Sequence, residues 1–170
     1  HKSESDFMVG DETMRKEWAL GKAIGQELLT IIDDGGEPGS GYTPYDDEGT
    51  KSRKTEIISK GILTGRLHST ATSAALEEPL TGNARSINFE FEPIVRMTTT
   101  YIAKGNRPLA DIVADIKEGI FVETIKHGSG MSTFTIAPAR AYKIEQGRIT
   151  TPLKISVITG SVFEALAEVD

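Results

Sequence analysis

The sequence TGNARSINFEFEPIVRMTTTYI, at residues 81–102, is the stretch on which the predicted fold depends most. It opens with a Gly-Asn pair, which is typical of a turn. Ile87, Phe89 and Phe91 then alternate with polar residues, and this is the period of a half-buried β-strand. Residues 87–92 are therefore predicted to form a strand with one apolar face.

A second strand is predicted after Pro93, which interrupts the alternation. Arg96, Thr98 and Thr100 lie at every second position and therefore share one face of this strand. A face built from an arginine and two threonines presents hydrogen-bond donors rather than apolar groups. It would meet solvent, a partner or a substrate groove.

The rest of the chain predicts an α+β fold that is predominantly antiparallel β with a few helices. Lys60-Gly61 separates two strand-like runs and predicts a hairpin. Residues 70–76 predict a short helix, and residues 107–118 predict a longer one because their apolar residues recur at helical spacing. A glycine-rich turn is predicted at residues 126–132. Strands outnumber helices and come in runs, which favours α+β over an alternating α/β architecture.

The composition bounds the class of protein. The 170 residues, 38% hydrophobic and 26% charged, suit one soluble globular domain over residues 1–170. The net charge of −6 and the lack of a Lys/Arg-rich run argue against nucleic-acid binding. Without cysteine, the chain offers neither a disulfide nor a thiolate metal ligand. No apolar run is long enough to span a membrane and the start is unlike a signal peptide, so we expect a cytoplasmic protein.

Two acidic clusters flank a long loop rich in Gly and Pro, DDG at residues 33–35 and DDEGT at residues 46–50. A calcium loop would need ligands at alternating positions and a terminal glutamate, and that pattern is absent. The clusters are better interpreted as Asx turns and as ends of helices or strands. His68 and His127 both stand beside turn signals, so surface positions are predicted for them.

The stretch at residues 81–102 resembles the signature of the TldD/PmbA family, whose members were once labelled modulators of DNA gyrase. The family pattern is TGN-x-R followed by P-x-x-RMTNTY. The matching residues here are Thr81, Gly82, Asn83, Arg85, Pro93, Arg96, Met97, Thr98, Thr100 and Tyr101, and Thr99 replaces the usual Asn. The candidate substrate-binding residues from this signature are Asn83, Arg85, Arg96, Thr98 and Thr100.

The two arginines of that set are the strongest polar candidates. Their guanidinium groups could capture a peptide backbone or a carboxylate. The alternative for Arg85 and Arg96 is a salt bridge to Glu90 or Glu92, or simple solvation.

A second match lies at the start of the chain, which reads HKSESD. TldD-type members carry an HExxxH zinc motif that continues as H-x-x-E-x-D, and His1, Glu4 and Asp6 match this continuation. The resemblance implies that His1 binds zinc and that Glu4 and Asp6 accept hydrogen bonds from imidazole rings and so orient them. It also implies that the first histidine and the general-base glutamate lie upstream and a cysteine ligand beyond residue 170. No catalytic residue is then expected within this chain. The alternative is that His1 is a tag remnant.

The resemblance implies a function for the parent protein. The chain is expected to be a C-terminal-region fragment of a longer TldD-like zinc metallopeptidase that hydrolyses unfolded or precursor peptides. A PmbA-type partner subunit or a homo-oligomer is implied, with no nucleic acid and no membrane. A single histidine cannot hold zinc tightly, so this fragment alone is expected to be metal-free and inactive. The alternative is a non-catalytic peptide-binding or dimerisation scaffold of the same family.

Overall fold

In a computed structural model, which describes residues 3–169, the chain divides into two units. The first unit contains the chain up to Ala103 and the segment from Leu166 onward, and the second contains residues 104–165. In both units the named strands pair antiparallel, and four short helices accompany them. The predicted α+β class is thereby confirmed. The single domain expected over residues 1–170 stays a prediction.

The first unit is built around a four-stranded sheet in the order β3-β2-β1-β6, with β4 and β5 forming a separate pair. A 3₁₀ turn at Ser5–Phe7 opens the described chain. The helices and strands of this unit are α1 (Glu12–Glu17), β1 (Ile31–Asp33), β2 (Thr55–Ser59), β3 (Ile62–Leu63), α2 (Thr70–Leu76), β4 (Ala84–Arg85), β5 (Ile94–Val95) and β6 (Thr100–Ile102). Its core consists mainly of aliphatic side chains together with one tryptophan: Met8, Trp18, Ile24, Leu29, Ile57, Ile58, Leu63, Leu67 and Val95.

Two local signals in this unit produce the predicted elements. Lys60 and Gly61 both have positive φ, 48° and 76°, which is the conformation of a tight hairpin turn between β2 and β3. Helix α2 begins after Ser69, whose Oγ accepts the N–H of Thr72 at 3.3 Å. The Oγ1 of Thr72 accepts the N–H of Ser69 in return, at 3.0 Å. This reciprocal cap satisfies two backbone donors that a helix start leaves unpaired.

The second unit is a four-stranded sheet centred on one long strand. Its elements are α3 (Leu109–Ala114), β7 (Glu118–Gly130), β8 (Thr133–Glu145), β9 (Arg148–Leu153) and β10 (Ile158–Ser161). Strand β8 pairs with β7 along its length, with β10 near its start and with β9 near its end. Gln146 and Gly147, with φ of 49° and 76°, form the β8–β9 turn. Helix α4 (Val162–Ala167) follows β10.

Three predicted elements differ from the structure: one helix is shorter than predicted, and one turn and one strand are wrong. The helix predicted over residues 107–118 covers only α3, because Glu118 already pairs with Glu145 in the sheet. The turn predicted at residues 126–132 is mostly strand, because β8 continues to pair with β7 as far as Gly130. Pairing with a neighbouring strand here overrides the local glycine signal.

The third difference is the strand predicted over residues 87–92. Residues 86–93 instead form a loop, named the apolar loop below, between β4 and β5. The β4–β5 ladder has only two residue pairs, and it ends at Arg85 and Ile94. Within the loop, the Oδ1 of Asn88 accepts the N–H of Glu90 at 2.9 Å, which makes an Asx turn.

Glycines 61 and 49 offer a matched test of backbone constraint, since both have positive φ, 76° and 77°. A Cβ on Gly61 would lie 2.3 Å from the carbonyl oxygen of Gly25, whereas a Cβ on Gly49 meets nothing within 4 Å. We expect Gly49→Ala to lower the free energy of unfolding by about 1 kcal/mol through backbone strain alone. Gly61→Ala should lower it by at least about 2 kcal/mol more, because the backbone must move. Urea unfolding of both variants measures the difference, and equal losses would contradict the close approach.

Candidate functional site

The buried carboxylate of Asp33, at the end of β1, gathers three of the predicted site residues. Its Oδ1 accepts the N–H of Thr98 at 2.9 Å and the hydroxyl of Thr100 at 2.6 Å. Its Oδ2 accepts the hydroxyl of Thr98 at 2.7 Å and the Nδ2 of Asn83 at 2.9 Å. Asp33 itself is only 1% exposed. Four hydrogen-bond donors therefore satisfy one carboxylate that is buried away from water.

The strand predicted after Pro93 is interrupted, because only Ile94–Val95 and Thr100–Ile102 are strands and residues 96–99 lie between them. Thr98 and Thr100 nevertheless bond to the same side chain. Their hydroxyls bond to Asp33, which the sequence predicted only as part of a turn or the end of a helix or strand and not as a partner of the threonines. The missed signal is the position of Asp33 directly after the apolar run LLTII, where a strand ends inside the core. Substrate binding by these two threonines and by Asn83 stays a prediction.

Glu4 and Asp6 hold the start of the described chain against the segment around β5. The Oδ2 of Asp6 accepts the N–H of Val95 at 2.6 Å, and the Oε1 of Glu4 accepts the N–H of Met97 at 3.4 Å. Amides two residues apart in an extended chain point the same way, so both carboxylates lie on one side of it. The 3₁₀ turn packs against β5 accordingly.

Of the predicted residues, His1 lies outside the described part of the chain. The role of Glu4 and Asp6 in orienting imidazole rings stays a prediction.

The two candidate arginines differ in their surroundings. Arg85 is the last residue of β4, and Arg96 follows directly after β5. Arg85 is exposed on β4. Arg96 is partly buried, and its Nε lies 3.9 Å from the Oε1 of Glu4. Sequence reasoning offered Glu90 or Glu92 as a partner, and the partner observed for Arg96 is Glu4. Both side chains remain at least partly accessible to solvent, which is what capture of a peptide or carboxylate requires.

The acidic loop after β1 is shaped by its own carboxylates, as the Asx-turn interpretation predicted. The Oδ1 of Asp46 accepts the N–H groups of Glu48 and Thr50 at 3.0 and 2.8 Å, and its Oδ2 accepts the N–H of Ala84 at 3.1 Å. Glu48 accepts the N–H of Thr70 at 2.8 Å, at the start of α2. These carboxylates therefore connect the loop to β4 and to α2.

The same loop packs tightly against the threonine segment. A Cβ on Gly41 would lie 2.3 Å from the carbonyl carbon of Thr98, so only glycine fits there. Thr99, the residue that departs from the family pattern, donates its hydroxyl to the carbonyl of Glu37 at 3.2 Å. The Asn-to-Thr change at position 99 thus keeps a side-chain hydrogen-bond donor beside the loop.

His68 is a residue that sequence reasoning misplaced. It was predicted at the surface, but it is buried, with its Nε2 3.0 Å from the Oε2 of Glu78 and its Nδ1 3.3 Å from the Oγ1 of Thr72. Glu78 also pairs with the guanidinium group of Arg66. Burial lowers the pKa of His68 below its ordinary 6.5, and this outweighs the opposing effect of Glu78. His127, in contrast, is exposed on β7 as predicted.

The grouping of acidic and histidine side chains within residues 3–169 bears on metal binding. No group of three or more His, Cys, Asp or Glu side chains is arranged to hold a metal within this part of the chain. The carboxylates of Glu4 and Asp6 already accept backbone amides.

Comparison with known proteins identifies the family. Residues 4–170 match the family described as the PmbA/TldA metallopeptidase C-terminal domain, and the chain belongs to this family. The resemblance of the sequence signatures to the TldD/PmbA family is thereby confirmed. Among residues 3–169, no helix has the length and apolar character that a membrane span requires.

Several relatives align with the whole chain. It is 37% identical over 172 residues to a metalloprotease of Synechocystis sp., covering 100% of this chain and 37% of that protein. It is 32% identical over 174 residues to a zinc metalloprotease TldD homolog of Saccharolobus solfataricus, covering 100% and 39%. TldE from Thermococcus kodakarensis shares the fold, with a TM-score of 0.79 and 24% identity over 98% of this chain and 38% of that one. The chain thus spans less than half the length of these relatives.

The Asp33 network predicts a strong dependence of stability on one carboxylate. Asp33→Asn replaces an oxygen acceptor by an NH₂ group that faces donors, so at least one hydroxyl or amide is left unpaired. We expect the free energy of unfolding to fall by about 2–4 kcal/mol. Asp34→Asn is the matched control, because its Oδ1 accepts only the N–H of Gly36 among the bonds described, and an amide oxygen can do the same. Chemical denaturation of both variants measures this, and similar losses would contradict the network.

The burial of His68 predicts a pH dependence of stability. The unfolded chain takes up a proton at His68 near pH 6.5, and the folded chain does so only at lower pH. The free energy of unfolding should therefore fall as the pH drops below about 6.5. His68→Gln should flatten this slope, whereas His127→Gln, which removes an exposed histidine, should leave it unchanged. Thermal unfolding between about pH 5 and pH 8 tests this, and an unchanged slope in His68→Gln would refute it.

Proposed function

We propose that this chain belongs to the catalytic region of a TldD-type zinc metallopeptidase that hydrolyses unfolded or precursor peptides. The observation that carries the proposal is the 2.6 Å hydrogen bond from the N–H of Val95 to the Oδ2 of Asp6. Asp6 belongs to one family signature, and Val95 is the residue before Arg96 in the other, P-x-x-RMTTTY. The N–H of Met97, within RMTTTY, is donated in the same way to Glu4 at 3.4 Å. The names of the metalloprotease relatives support the same class of reaction.

The described residues have positioning and binding roles in this proposal. Glu4 and Asp6 anchor the segment that follows His1, and Arg85 and Arg96 offer guanidinium donors to the peptide. When bound by His1 and by ligands outside this chain, zinc supplies an activated water as nucleophile. The substrate is recognised on this view through its main chain and through its charge.

A second candidate function is a non-catalytic peptide-binding or dimerisation scaffold. The observation that favours it is the exposure of Ile87 and Phe89, since apolar side chains left at the surface are typical of interaction sites. Asn83, Thr98 and Thr100 bond to Asp33 and so serve the fold. The two proposals differ in whether the parent protein turns over its bound peptide.

The partner subunit, the substrate and the cellular location of the protein are also part of the proposal. We expect a PmbA-type partner subunit or a homo-oligomer, a peptide as substrate, and a cytoplasmic location. The net charge of −6 supports the expectation that nucleic acid is not a partner.

The longer protein that we propose contains this chain should hydrolyse an unfolded, fluorescently labelled peptide. A chelator should abolish hydrolysis and added zinc should restore it, because zinc activates the water. The isolated 170-residue chain should bind zinc no more tightly than about 1 μM by calorimetry, since it contributes too few ligands.

The controls separate the two candidate functions. Peptide binding without turnover by the zinc-loaded longer protein would favour the scaffold. Sub-micromolar zinc binding by the isolated chain would refute the expectation that most ligands lie elsewhere.

A further inference from the structure

The apolar loop, residues 86–93, exposes large apolar side chains of a kind that proteins normally bury. Phe89 is 98% exposed, Ile87 84% and Phe91 55%. Buried phenylalanines each remove about 150–250 Å² from water, so this loop leaves an apolar area on the order of several hundred Å² accessible. Exposed apolar patches of that size mark sites of interaction.

The loop keeps its shape without burying these side chains. Its first residue, Ser86, donates its N–H to the Oδ2 of Asp47 at 2.7 Å. The N–H of Phe91 is donated to the carbonyl of Asn88 at 3.3 Å, next to the Asx turn at the same residue. Polar bonds therefore hold the backbone of the loop, and the apolar side chains remain available for a ligand.

The position of the loop identifies the occupant. Its C-terminal end continues into Ile94, which is half exposed, and then into Val95, whose N–H is bonded to Asp6. Phe7, the next residue after Asp6, is also partly exposed. Exposed apolar residues therefore stand on both chain segments that meet at this bond, Ile94 beside Val95 and Phe7 beside Asp6. Asp6 belongs to the signature that the proposed function assigns to the metal side. A ligand of that site would extend along the loop.

The charges of the loop narrow the chemistry further. Glu90 and Glu92 are exposed between and beside the phenylalanines, and the loop contains no basic residue. Carboxylates beside an apolar surface favour a ligand that combines large apolar side chains with basic ones.

We propose that the apolar loop binds apolar side chains of the peptide substrate and prefers peptides in which basic residues flank them. This specificity rests on the proposed peptidase function. Its energetic basis is the removal of apolar side chains of both partners from water, to which Ile87 and Phe89 would contribute most because they are the most exposed. Arg85 and Arg96 then serve the main chain or a carboxylate, and the loop serves the side chains.

The test uses the longer protein and two labelled peptides of equal length. One peptide contains Phe and Leu flanked by Lys, and the other has Ser and Gly in place of Phe and Leu. The double variant Ile87→Ser/Phe89→Ser should lower the ratio of kcat/KM for the apolar peptide over the polar peptide by about tenfold or more. Leu28→Ser, which removes an apolar side chain that is 75% exposed elsewhere in the first unit, should leave the ratio unchanged.

The outcomes distinguish this inference from the function on which it rests. Hydrolysis of the polar peptide by wild type and both variants supports the peptidase function independently of the loop, and absence of hydrolysis of either peptide by wild type refutes that function. Anisotropy measurements of peptide binding provide a second readout. An unchanged ratio and unchanged binding in the double variant overturn the inference. So does a drop in oligomer mass by sedimentation with an unchanged ratio, because the loop is then a subunit contact.

Discussion

Four hydrogen bonds converge on the buried carboxylate of Asp33, and they come from positions 50 to 67 residues further along the chain. A carboxylate group can accept about four hydrogen bonds, so Asn83, Thr98 and Thr100 together saturate it. Removing such a group from water is unfavourable unless every site is used. The bonds therefore tie the end of β1 to the Gly-Asn turn and to the start of β6, and the remaining parts of the site are arranged around this junction.

The segment between β5 and β6 shows what such carboxylates achieve. Residues 96–99 lie outside the strands, so their amides need partners other than a regular ladder. Side chains provide them on two sides: Glu4 accepts from Met97, and Asp33 accepts from Thr98. The tight contact with Gly41 holds the segment from the acidic loop as well. An irregular stretch of backbone is thereby held in place while Arg96 remains partly accessible.

Local signals predicted the local structure, and long-range pairing decided the rest. The hairpin at Lys60-Gly61 and the short helix at residues 70–76 follow from a few neighbouring residues, so the sequence predicts them correctly. The alternation of apolar and polar residues also predicted a strand at residues 87–92. In the described structure this segment has no neighbouring strand to pair with. Thr98 and Thr100 were predicted to act together, and they do, but through Asp33 and not as one strand face. The apolar run before Asp33 marks its burial, but no local signal marks which residues it contacts 65 positions later. His68 was misplaced because the turn signals beside it do not show that its ring is buried and bonded to Thr72 and Glu78.

The two sides of the contact between Glu4, Asp6 and the segment around β5 tolerate mutation to different degrees. Glu4 and Asp6 bond to main-chain amides, and every residue except proline supplies such an amide. Side chains at positions 95 and 97 are thus free to drift during evolution so long as the core accepts their size. Positions 4 and 6 have no such freedom, because only a side chain with an acceptor of the right reach can replace a carboxylate there. Sequence variation in this contact should accumulate at positions 95 and 97 and spare positions 4 and 6.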